Sequence, residues 1–73
     1  MADDQQTTGS DLARAEALAE AWASIEGKGE KYLACKADRN LDETQGYYSG
    51  FVCEARELIR RLERRGYTVV RMP

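Results

Sequence analysis

Apolar residues three and four positions apart recur along two stretches of this chain, and that periodicity restricts it to packed helices more than any other feature does. Ala15, Leu18, Trp22, Ile25, Gly29 and Tyr32 form the first stripe; Tyr48, Phe51, Val52, Ala55, Leu58, Ile59 and Leu62 form the second. A strand would alternate every two residues instead. The one proline, Pro73, closes the chain and interrupts neither stretch.

The first helix has a clear start. Ser10 suits an N-cap, and Asp11 places a carboxylate at the positive end of the helix dipole. Alanine, the strongest helix former, then occupies every second position from Ala13 to Ala23. Gly27 and Gly29 together cost about 2 kcal/mol relative to alanine in a helix interior. Because the stripe keeps its register across them, the pattern predicts one helix over about 10–38 with a weak point at Gly27–Gly29. Residues 1–9, nearly devoid of apolar side chains, read as a disordered tail ahead of a single small domain over 10–73.

The stretch from Ala37 to Thr44 reads as a turn. Asn40 or Asp42 is placed to cap a second helix, and Asp42 with Gln45 has capping-box spacing. That helix is expected over about 42–65. Gly66 suits its left-handed C′ position, Arg64 and Arg65 fill its last turn, and Tyr67 can fold back onto Leu62. Tyr67 to Arg71 is β-branched and aromatic enough for a short extended segment.

Two long helices joined by a turn make an all-α antiparallel hairpin. In 73 residues such a hairpin buries a thin core, and no disulfide framework or metal site is evident to reinforce it. Pairing into a four-helix-bundle-like homodimer would complete that core, with Leu18, Trp22, Ile25, Phe51, Ala55, Leu58 and Leu62 as core or dimer residues. A compact monomer with the C-terminal segment folded over the hairpin is the alternative.

Composition narrows function by exclusion. Histidine is absent, which removes the commonest general base and metal ligand. Cys35 and Cys53 fall short of a four-ligand zinc site. In a hairpin turning near Asn40 they would also stand too far apart for a disulfide. There is no glycine-rich phosphate loop, so neither an enzyme nor a cofactor is expected. No apolar run approaches the length of a membrane span, and the start is acidic (Asp3, Asp4), so the expectation is a cytoplasmic protein.

Two features point outward. Gly46-Tyr47-Tyr48-Ser49-Gly50-Phe51 sets three aromatics among small residues. Tyr48 and Phe51 continue the apolar stripe, and the glycines would let a neighbouring helix approach; Tyr47, off the stripe, is the candidate for external contact. The last 20 residues are net positive by three while the first 53 are net negative by five. Part of that asymmetry suits a helix C-terminus, with Glu57 and Arg61 paired at i, i+4. Arg56, Arg60 and Arg64 share one face and could meet an acidic partner.

The expectation is therefore a small non-enzymatic interaction protein that binds and modulates or inhibits a larger protein, through Tyr47, Arg56, Arg60 and Arg64. Short, charged, His-free helical chains of this type are common among bacterial and phage accessory proteins. A helical nucleic-acid binder using the same arginines is the alternative, although a pI near 5.1 lacks the strongly basic character expected of one.

Overall fold

The computed structural model describes the backbone of residues 2–70 and the side chains of 11–70. It contains α1 (Ala2–Ile25), α2 (Gly29–Ala37), α3 (Arg39–Gln45) and α4 (Tyr47–Arg64), with no strand among the described residues. The helix expected to start at the Ser10 cap starts earlier: the backbone is helical from Ala2 on, so Ser10 and Asp11 lie inside α1 and residues 2–9 of the expected tail belong to it, while Met1 is outside the described residues.

Each of the two expected long helices is broken, and a glycine marks each break. Gly27 takes φ +76°, a left-handed conformation in which a Cβ would clash with the backbone. Its N–H donates to Ser24 O (3.1 Å), and Lys28 N–H donates to Ala23 O (2.7 Å), which is a Schellman closure of α1. The expected helix over 10–38 therefore ends at Ile25 and restarts at Gly29. Preserved register in sequence does not oppose this, because two helices can each carry part of a stripe.

The second break is at Gly46, φ +73°, which separates α3 from α4 inside the helix expected over 42–65. Capping differs accordingly. Asp38, in extended conformation, caps α3 by accepting from Asn40 N–H (3.0 Å) and Leu41 N–H (3.3 Å). Asp42, expected to cap the helix it begins, instead caps the next one: its carboxylate accepts from Tyr48 N–H and Ser49 N–H, both at 3.0 Å. Gly46, the N-cap position of α4, has no side chain for this task. Gly50 has open space around it, so the Gly46/Gly50 pair serves no close helix approach.

α1, α2 and α4 pack on one another, and α3 links the last two. The α1 contribution to the core is Ala15, Ala19 and Ala23, all fully buried. The expected line through Leu18, Trp22 and Ile25 sits to one side: Leu18 packs against the core edge, Trp22 is half-buried and Ile25 is 84% exposed. Small side chains win the central position because they let helix backbones approach closely, while Tyr32 of α2 fills the space between them. Val52, Ala55 and Ile59 complete the core from α4, with Tyr48, Phe51 and Val69 packed at its margin. Leu58 and Leu62 are half-buried.

The end of α4 is as expected. Gly66 N–H donates to Glu63 O (3.1 Å) and Tyr67 N–H to Leu62 O (3.0 Å), the Schellman pattern. Tyr67 itself remains 69% exposed. Residues 67–70 then run without regular structure, and Val69 packs against the core. Arg71 lies outside the described residues.

Candidate functional site

Along α4, Arg56, Ile59, Arg60 and Glu63 follow one another at helical spacing and share a face. Across from them stand Asp11, Leu12 and Arg14 of α1, and the two rows border an open groove of about 480 Å³. The groove exists because α2 is short. Nine residues extend about 13.5 Å against about 27 Å for the eighteen of α4. The contacts of Tyr32 with Tyr48 and Phe51 place α2 beside the N-terminal half of α4.

The floor of the groove is apolar, made by buried Ile59 and by Leu12, which is 39% exposed. Its rim is charged. Arg60 pairs with Glu57 at 3.2 Å, and Arg61 pairs with the same carboxylate at 3.3 Å. These guanidinium groups hold the Glu57 carboxyl below its ordinary value, the Arg61 hydrogen bond first, against a smaller opposing effect of burial. Arg56 and Arg64 make no ion pair among the described residues.

Arg14 is the most committed side chain of the groove. Its Nη1 donates to Thr68 Oγ1 (2.8 Å) and to Val69 O (3.1 Å), and its Nη2 pairs with Asp11. Nη1 also lies 3.8 Å from the Glu63 carboxylate. Nε is buried without a hydrogen-bond partner among the described residues. The i, i+3 spacing of Asp11 and Arg14 is the local signal in the sequence; the bonds to Thr68 and Val69, 54 and 55 positions away, have none.

Tyr47 belongs elsewhere. It begins α4, nine residues and thus about two and a half turns before Arg56, which places the two on opposite sides of the helix. Lys31 Nζ stands 5.4 Å from its ring centroid, a cation–π contact that ties the ring to α2. The structure therefore joins Arg56 and Arg60 in one groove, carries Arg64 a turn beyond them, and separates Tyr47 from all three.

The remaining aromatics of the glycine-flanked run turn inward. Tyr32 and Tyr48 have ring centroids 5.5 Å apart, and Phe51 meets Tyr32 edge-on at 6.5 Å. Glu16 organises this cluster: its carboxylate accepts from Tyr48 Oη (2.5 Å) and lies 3.9 Å from Lys36 Nζ, and its backbone carbonyl accepts from Tyr32 Oη (3.2 Å). Burial, and then the Glu16 charge, push the Tyr32 hydroxyl up to about 12. The Glu16 hydrogen bond, followed by burial, raises Tyr48 to about 12. Both are neutral donors at ordinary pH, which suits structural hydrogen bonds.

Cys35 is buried, Cys53 is exposed, and both are free thiols. Among the described residues no three potential metal ligands cluster, and no helix is long and apolar enough to cross a membrane. No protein-family model matches the chain, and no curated protein or solved structure shows significant similarity to it.

Proposed function

We propose that this chain is a small non-enzymatic binding protein that modulates or inhibits a larger protein, and that it docks an acidic amphipathic segment of that partner in the α1–α4 groove. The observation that carries the reading is the apolar floor of Leu12 and Ile59 beside the guanidinium groups of Arg56 and Arg60. An amphipathic helix laid there would cover the floor with its apolar side and set carboxylates against the arginines. A nucleic-acid backbone fits the groove less well. The arginines would neutralise phosphates, and Asp11 and Glu63 oppose any anion alike, but the apolar floor of Leu12 and Ile59, which the apolar side of a helix would cover, offers a phosphate backbone nothing.

The test is affinity capture from native extract, repeated with the Arg56→Gln/Arg60→Gln/Arg64→Gln protein. Exposed arginines should each change stability by about 0.5 kcal/mol or less. Loss of partner binding by about 1 kcal/mol or more per critical arginine, with marked salt sensitivity, supports the reading. Unchanged capture by the folded triple variant rejects it.

Homodimer formation belongs to the same proposal. Among the described residues the core holds eight buried apolar residues, four of them alanine, a thin core that a second copy would extend. With Ala55 consumed by the chain's own core, the flank of half-buried Leu18 and Trp22 with exposed Ile25 is the part of the expected dimer seam on α1 that stays open to a second copy. Light scattering with Ile25→Glu decides: a dimer that becomes a monomer supports this, and a wild-type monomer at all concentrations refutes it.

A further inference from the structure

We infer that the C-terminal segment 67–70 is a latch on the groove, held by Arg14 and released when an acidic ligand engages that arginine. The inference rests on the groove being the docking site and adds how that site is regulated. Its basis is that one guanidinium serves two structures. Arg14 lines the groove, and the same group ties down the segment through Thr68 Oγ1 and Val69 O.

Little else holds the segment. After Tyr67 N–H closes the α4 terminus, residues 68–70 make no backbone-to-backbone hydrogen bond to the other described residues. Val69 packs against the core, whereas Tyr67 and Val70 are 69% and 68% exposed. A second contact, Thr68 Oγ1 to Glu63 Oε2, is long at 3.5 Å. Removing Arg14 from the segment would therefore leave Val69 as its principal anchor.

The arginine favours exchange. Its Nη2 is held by the Asp11 carboxylate, whereas its Nη1 bonds to the segment go to a neutral hydroxyl and a neutral carbonyl and its nearest carboxylate there, Glu63, stands off at 3.8 Å, so Nη1 is the side open to exchange. A carboxylate entering the groove forms charge-assisted bonds, about twice as strong as neutral ones, and can engage two guanidinium nitrogens at once. A ligand carboxylate that takes Nη1 forfeits the bonds to Thr68 and Val69 while the Asp11 pair on Nη2 is kept. Binding and latch release are then linked: weakening the latch must tighten the ligand to the same degree that the ligand loosens the latch.

The test uses the full chain and a fluorescent synthetic amphipathic helix of Leu and Glu, with a Lys-for-Glu peptide as control. Thr68→Val removes an exposed hydroxyl that accepts from Arg14 and makes the long contact to Glu63, and leaves every groove-lining residue in place. It should tighten the Glu peptide by about threefold, the worth of one exposed hydrogen bond. Adding that peptide to wild type should speed amide exchange at Val69 and Val70. Binding by Thr68→Val alone would also support the latch. Equal affinities, or slower exchange at Val69 and Val70 on binding, would overturn the latch while leaving groove docking intact. Failure of both proteins to bind, or Glu-peptide binding indifferent to Arg56→Gln, overturns the docking reading and the latch with it.

Discussion

Replacing Asp42 by alanine removes the cap of a helix that Asp42 does not belong to. Tyr48 and Ser49 are the second and third residues of α4, the positions whose N–H groups an N-cap side chain ordinarily receives. Gly46 cannot supply that side chain, and the Asp42 carboxylate stands in for it with two 3.0 Å bonds. Loss of a cap costs about 1 kcal/mol, and loss of a carboxylate near a helix N-terminus about 0.5 kcal/mol more. Ser49 is exposed and water replaces its partner, whereas Tyr48 N–H is partly buried, so the sum is expected to hold at about 1.5 kcal/mol. For a chain of this size that lowers Tm by about 10 °C. Asp42→Asn keeps an acceptor and should lose about a third as much. Gln45→Ala, costly if Asp42 and Gln45 formed a capping box, should stay within about 0.5 kcal/mol of wild type. The assay is thermal unfolding followed by circular dichroism. The reasoning is refuted if Asp42→Ala melts within about 2 °C of wild type, or if Gln45→Ala is as damaging.

Ala19→Leu should destabilise by about 1–3 kcal/mol in urea titrations, because it forces a larger side chain into the α1 contact where Ala19 is fully buried. Stability should fall as pH rises from about 10 to about 12: the folded protein retains protons on Tyr32 and Tyr48 that the unfolded chain, with the ordinary tyrosine value of 10.0, releases. Chemical denaturation across that range reads the slope, which Tyr48→Phe should make shallower. In native protein a thiol reagent should label Cys53 at once and Cys35 only on unfolding, as mass spectrometry of timed samples would show.

Several local features were legible in the chain because their partners are near neighbours in sequence. The Schellman closure at Gly66 spans six residues and is formed as the sequence implies. The pairing of Glu57 with Arg61 needs only one helical turn. Arg56 and Arg60 share a face for the same reason, and both line the groove. The weakness at Gly27–Gly29 was legible too, although the choice between a strained helix and a true stop was not, because it depends on what α2 gains by packing back.

The sequence by itself determined that the chain is helical, where glycine could interrupt a helix, and that positive charge gathers toward the end of α4; these follow from backbone sterics and side-chain spacing within a few residues. Tertiary structure decided which of two adjacent stripes on α1 became core. The alanines and the Leu18–Trp22–Ile25 line are about 100° apart on one helix, and the larger residues have the greater hydrophobicity, yet close approach of three helices around Tyr32 selected the smaller side chains. The same packing brought Leu12 and Arg14 to α4, Glu16 to Tyr48 across 32 positions and Arg14 to Thr68 across 54. No periodicity encodes such pairs, since the register between helices comes from how their surfaces fit when they meet.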